Sequence, residues 1–325
     1  MNGYLDAWSQ SRSVGKLSLA QRLELALKPK AETLISGLDP TKLALMIDIS
    51  HWQGDVDIAR MVSEGSVTAG IVKASDGKQV QDGDPYNKLN YVDDWLYRNV
   101  QKCYDAKVPC IPYHYVQPLL EGYTAQGVAD WNMETLHAAL DPLVPKASYH
   151  AICLDVEEKK NTDTNGSDVV LKMMDAIEHD PKFSQVPLIL YSSMSVLNYF
   201  TKLREQVSFQ GANRNLWMAQ WVWNTTTNCT WEYFWNTVVP KVSMKVLTPG
   251  WAGWWGIQWS ASMILPGGTG RTDVSFASRT PEALRQWLGY TSPTPPGPGP
   301  DPDPGVYVTL DEFNRFKEGL RAAAQ

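Results

Sequence analysis

Short apolar runs recur through the middle of the chain, and most close on a polar or acidic residue. They lie at 43–50 (Leu43-Ala-Leu-Met-Ile-Asp-Ile-Ser50), 67–75, 110–116, 150–157, 187–193, 216–222 and 254–260, with a weaker one at 271–276. Their length and β-branched content predict buried strands. Helical spacing appears between them. Over 89–106, Leu89, Val92, Leu96, Val100 and Cys103 share one side, and further helices are predicted at about 124–140, 167–178 and 194–205. Strands alternating with helices imply an α/β fold with a mainly parallel sheet. Eight such units over about 250 residues suit a TIM-like (β/α) barrel better than an open sheet.

The polar residues fall in phase with this pattern. Asp48, Lys73, His114, Asp155, Glu157, Tyr191, Gln220 and Gln258 all stand at or near the C-terminal ends of apolar runs. In barrel enzymes that rim carries the active site. Any one of them alone is explained by a strand running out into water; the repetition is what argues for a site.

The stretch His150-Ala-Ile-Cys-Leu-Asp-Val-Glu157 is the most specific. Side chains two apart on a strand share a face, so Asp155 and Glu157 point the same way, about 6.6 Å apart along the backbone. Neighbouring acids raise each other's protonation cost, so that one tends to stay neutral near pH 7 while the other ionises. Cleavage of a glycosidic bond needs such a pair. Lys73 is placed either to ion-pair with Asp48 or Asp155 or to stand free in solvent. By the same alternation, either Tyr113 and Tyr115 face the pocket or His114 does.

Composition narrows the partners. A chain of 325 residues with 43% hydrophobic and 20% charged content is that of an ordinary globular protein. Its net charge of −6 argues against nucleic acid and gives no attraction to an anionic membrane. Fourteen tryptophans are the outlier; they either fill a large core or offer flat faces to sugar rings. Among the four cysteines, Cys153 reads as a buried thiol, Cys103 and Cys110 admit a disulfide, and no metal-ligand spacing is present. His51 and His114 are better explained as surface or core histidines than as metal ligands. Met1-Asn-Gly-Tyr-Leu-Asp6 lacks the basic and apolar regions of a signal peptide, and no apolar run is long enough to span a bilayer.

In order, Asp48-Ile-Ser-His-Trp-Gln-Gly54, Val72-Lys-Ala-Ser75, Pro112-Tyr-His-Tyr115, Leu154-Asp-Val-Glu157, Tyr191-Ser-Ser193, Leu216-Trp-Met-Ala219, Trp255-Gly-Ile-Gln-Trp-Ser260 and a late Asp273 resemble the motifs of the family 25 glycoside hydrolases. These are the Chalaropsis-type lysozymes common among phage endolysins. The resemblance spans roughly 43–290 and implies an irregular, flattened barrel in which some helices are short or missing. It implies cleavage, with retention, of the β-1,4 bond between N-acetylmuramic acid and N-acetylglucosamine in bacterial peptidoglycan, without metal or organic cofactor. Glu157 is then the general acid. Asp155 either orients the substrate's own N-acetyl group as nucleophile or attacks directly. Asp48 and Asp273 are further acids of the groove, and Lys73, Tyr113, Tyr115, Tyr191, Gln220, Gln258 and Trp259 are sugar contacts. The closing Thr272-Asp-Val-Ser-Phe276 is an approximate match. Such an enzyme would be made in the host cytoplasm and reach the wall through a holin or on the virion. A non-catalytic wall-binding or virion component, or a glycosidase for another N-acetylated glycan, would share the fold.

Flanking this region, residues 1–40 form a helix-leaning extension with a capping box at Ser18-Leu-Ala-Gln21. The long 223–253 segment, rich in Trp, is expected to extend the glycan cleft or form a satellite cluster. Residues 291–305 are a Pro/Gly-rich, semi-rigid linker. Residues 306–325 form an amphipathic helix opened by Thr309-Leu-Asp-Glu312, suited to oligomerisation or to docking on virion or wall.

Overall fold

The computed structural model describes residues 42–77, 91–117, 123–158, 163–200, 202–203, 215–219, 229–230 and 255–291. The N-terminal extension, most of the Trp-rich segment, the linker and the C-terminal helix predicted above lie outside them.

The described residues form ten strands: β1 (Leu45–Ile49), β2 (Val67–Asp76), β3 (Tyr91–Val92), β4 (Cys110–Tyr115), β5 (Ile152–Val156), β6 (Leu188–Ser193), β7 (Asn215–Ala219), β8 (Cys229–Thr230), β9 (Gly256–Ile264) and β10 (Thr272–Ala277). Eight of them close into a barrel in the order β1-β2-β4-β5-β6-β7-β9-β10 and back to β1. β3 flanks β2, and β8 flanks β9. Six helices are described: α1 (Ile58–Gly65), α2 (Leu96–Asp105), α3 (Ala125–Leu140), α4 (Asp163–His179), α5 (Met194–Tyr199) and α6 (Pro281–Trp287). None is long and apolar enough to cross a membrane.

All eight predicted strands form, but the closure departs from eight repeated units. Of the barrel strands, β1, β2, β4, β5, β6, β7 and β9 run parallel, whereas β10 is antiparallel to both β9 and β1. β9 and β10 are joined by the short turn 265–271, without the crossover that a parallel pair requires. The helix expected over 89–106 begins only at Leu96. Its first residues form β3, and the carboxylate of Asp93 accepts from the Trp95 amide at the turn between. The helix predicted to reach 205 ends as α5 at Tyr199. The conceivable Cys103–Cys110 disulfide is absent; both are free, buried thiols, and the hydrogen bond between them, followed by burial, raises the Cys110 thiol pKa.

The strand period of two sorts the core into two clusters. Leu45, Ile47, Val72, Leu154 and Val274 pack outward with helix residues such as Leu96, Leu136 and Val170. Met46, Ile71, Ile111, Cys153, Ile189 and Trp217 fill the barrel interior. Gly256 lies where a Cβ would stand 3.2 Å from both the Trp217 ring and the Met46 side chain, so the large indole needs glycine on the neighbouring strand.

Candidate active site

Two residues beyond the inner row, towards the rim, stand the polar positions. Alternation carries Met46 to Asp48, Ile71 to Lys73, Ile111 to Tyr113, Cys153 to Asp155, Ile189 to Tyr191 and Gly256 to Gln258. β10 runs the other way, so its inward row reaches the same rim at its beginning. Asp273 there lies directly opposite Asp48 in the β1–β10 register. An antiparallel closing strand therefore brings a late acid to the mouth that the parallel strands reach at their C-terminal ends.

Four carboxyl groups meet at this mouth, and each is held above the usual carboxylate range. Burial raises Asp48 most, with the charges of Asp273 and Glu157 adding to it and Lys73 opposing. Burial raises Asp155, reinforced by Glu157 and Asp48 and again opposed by Lys73. Burial and then the charge of Glu157 push Asp273 up to about 7. Glu157 is exposed to solvent just past the end of β5, yet ringed by protein atoms. Its pKa is raised by that partial burial and by Glu158, against a Tyr191 hydrogen bond and the Lys73 charge that lower it. A protonated acid and an ionised neighbour can therefore coexist here near neutral pH.

The partners are specific. The Tyr191 hydroxyl donates to Gln258 Oε1 at 2.7 Å, and Gln258 Nε2 donates to Asp273 Oδ2 at 3.2 Å. Trp217 packs against Tyr191 with ring centroids 4.3 Å apart and the planes tilted by 53°, and it donates its indole N–H to Ser275 Oγ at 3.1 Å. Asp155 is 8% exposed, and its Oδ1 is buried without a hydrogen-bond partner among the described residues. Leaving such an atom unpaired costs on the order of 1–3 kcal/mol, which suits an oxygen awaiting a donor.

Several expected residues change role. Lys73 pairs with neither Asp48 nor Asp155; its Nζ lies 3.2 Å from Asp76 Oδ2 and over the rings of Tyr91 and Tyr115, at 5.8 and 5.5 Å. Its charge still reaches the acids. Tyr113 and Tyr115 face the mouth, and Tyr115 donates to Glu158 Oε1 at 3.0 Å. His114 faces outward, fully buried between Ser75 (2.8 Å) and Asn132 (2.9 Å), its pKa lowered to about 4 by burial. Gln258 is only 2% exposed, so it braces Tyr191 and Asp273 beneath the mouth instead of lining an open groove. Gln220 lies outside the described residues, as does the side chain of Trp259. Reasoning from strand ends missed Asp76 and Glu158, each one residue beyond a recognised motif, and Asp93, which neither pattern nor motif singles out.

Residues 47–268 match the profile of a family described as Glycosyl hydrolases family 25. Among solved structures, the chain is similar to a bacterial lysozyme from Streptomyces coelicolor (19% identity, TM-score 0.54, covering 76% of this chain and 98% of that one). It is also similar to a muramidase from Acremonium alcalophilum (15%, 0.52, 76% and 100%). A third similar structure is the catalytic domain of endolysin ply40 from a Listeria monocytogenes bacteriophage (15%, 0.50, 76% and 98%). At these identities the likeness speaks for the fold. No curated protein sequence matches the chain.

Proposed function

This chain belongs to glycosyl hydrolase family 25 and is a glycoside hydrolase, and on that premise we propose that it is a peptidoglycan muramidase acting with retention. The observation that carries the mechanism is the unpartnered, inward oxygen of Asp155 two residues before Glu157. An acetamido N–H of an N-acetylated sugar is a donor that would satisfy it. Accepting that N–H makes the acetamido carbonyl oxygen a better nucleophile towards the anomeric carbon. Glu157, whose pKa burial raises, gives its proton to the leaving glycosidic oxygen as that C–O bond breaks. The cyclic intermediate is then opened by water, which loses a proton to the Glu157 carboxylate, and the anomeric configuration is restored. Lysis of a bacterial host by a phage is the biological setting this reading suits.

Turbidity loss of purified peptidoglycan tests the reading, with Glu157→Gln and Asp155→Asn beside wild type. We expect activity to fall about 10²–10⁴-fold in the first, as for loss of a general acid–base, with folding retained in both variants. The new reducing ends should carry N-acetylmuramic acid. N-acetylglucosamine at those ends would move the substrate assignment to a glucosaminidase. A wild type that binds wall yet never clears it across a pH series would leave the binding-module alternative standing.

A further inference from the structure

Directly after β1 the chain turns through one 3-10 turn, His51–Gln53, and Trp52 on it is 80% exposed, the most open large apolar side chain among the described residues. The turn is rigidly built. Ser50 and Gln53 form a reciprocal capping box, the Ser50 hydroxyl also accepts from the Trp52 amide, and Gly54 closes the turn at φ 61°. The Thr269 hydroxyl donates to the Gln53 carbonyl from the β9–β10 turn.

His51 is equally fixed. Its Nδ1 lies 2.6 Å from the buried Asp93 carboxylate, which also accepts from the His51 backbone amide at 3.2 Å, and the Tyr91 hydroxyl approaches Nδ1 at 3.1 Å. A carboxylate facing Nδ1 places the proton there and leaves Nε2 as the acceptor nitrogen of the ring. The His51 and Trp52 rings lean together, centroids 4.7 Å apart. Tyr91, against His51, also lies beneath Lys73 Nζ at 5.8 Å. Lys73 belongs to the inner row whose charge acts on Asp48, Asp155 and Glu157. The exposed indole is thus continuous, through His51, Tyr91 and Lys73, with the acid-lined mouth.

We propose that Trp52 and His51 form an outer sugar subsite that seats a further pyranose ring of the glycan strand, away from the scissile bond. This rests on the glycan reading above. The indole plane offers a face for the axial C–H groups of the ring, and His51 Nε2 offers an acceptor for one of its hydroxyl or acetamido protons. A flat apolar surface beside a fixed polar atom, presented on a pinned turn, costs no reorganisation when the strand arrives.

The test compares wild type, Trp52→Ala and Trp52→Phe in the full chain, using soluble, peptide-free glycan strands of graded length. We expect Trp52→Ala to raise KM for long strands roughly three- to ten-fold, the scale of one lost aromatic contact. Its kcat should hold, the shortest cleavable fragment should be unaffected, and Trp52→Phe should recover most of the loss. An equal loss at every length, or none, overturns the subsite. So does a defect confined to peptide-bearing strands, which would assign the shelf to the stem peptide. If wild type cleaves no glycan, the activity reading fails by itself; titration calorimetry of the same strands with wild type and Trp52→Ala then decides the subsite, equal affinities overturning it.

Discussion

Lys73 shows how one side chain can set several titrations without touching any of the groups it affects. Its ammonium is ion-paired with Asp76 and flanked by the faces of Tyr91 and Tyr115. From there it lowers Asp48, Asp155 and Glu157 together, each of which burial lifts. Removing it should therefore raise all three. In Lys73→Met both limbs of the pH–rate profile should move to higher pH, because the base must still ionise and the acid stays protonated longer. A profile that loses height without moving would make Lys73 a binding contact only. Much of this residue scale was legible beforehand: strand alternation placed Asp155 with Glu157 and limited Tyr113, His114 and Tyr115 to two arrangements. Which arrangement holds depends on Ser75 and Asn132, which offer His114 a hydrogen-bonded place on the outer face. No local spacing encodes that.

At the scale of elements, Asn132 on α3 joins parts of the chain that the linear pattern treats separately. Its amide oxygen faces His114 Nε2 on β4 at 2.9 Å and accepts from the Gln117 amide at 3.1 Å; its Nδ2 donates to the carbonyls of Gln117 and Val128 at 3.1 and 2.7 Å. Gly77, at the end of β2, passes so close that a Cβ there would collide with the same amide. Asn132→Leu would strand several buried polar groups at once, and we expect it to lower unfolding free energy by about 2–4 kcal/mol, measured by urea titration. The strand ends held by Asn132 lead into the mouth, so activity should fall with stability. Elements whose periodicity agrees with their packing, such as α3, were predictable to within a residue. β3 was not: two residues pair with β2 only because Ser75 and Asp76 present a free edge there, and helical spacing continues through them uninterrupted.

For the whole molecule, the cost of gathering four acids at one mouth appears in the pH dependence of stability. Each of the four has its folded pKa above its unfolded value. The folded state then binds more protons than the unfolded one between those values, so stability is greatest at low pH within the window and falls as pH rises. For Asp273 the window runs from its ordinary value of 3.8 to about 7. Asp273→Asn should leave the thermal midpoint at pH 4 nearly unchanged and raise it at pH 8 by roughly 10 °C, since a pKa moved from 3.8 to about 7 corresponds to about 4 kcal/mol and 1 kcal/mol moves a domain of this size by about 2–4 °C. An equal shift at both pH values would trace the effect to packing instead of charge.

The succession of strands along the chain and the shared face of Asp155 and Glu157 were determined by the sequence itself, because a two-residue period and an apolar run ending in a carboxylate are local properties of the chain. The tertiary structure alone decided the direction of the last strand, and with it the meeting of Asp273 and Asp48. It also decided the bracing of Gln258, the pairing of Lys73 with Asp76, and the exposure of Trp52. Each of these depends on which distant segments become neighbours when the barrel closes. Burial and Coulomb interactions, which tune the acids, act through space and leave no periodic trace in sequence.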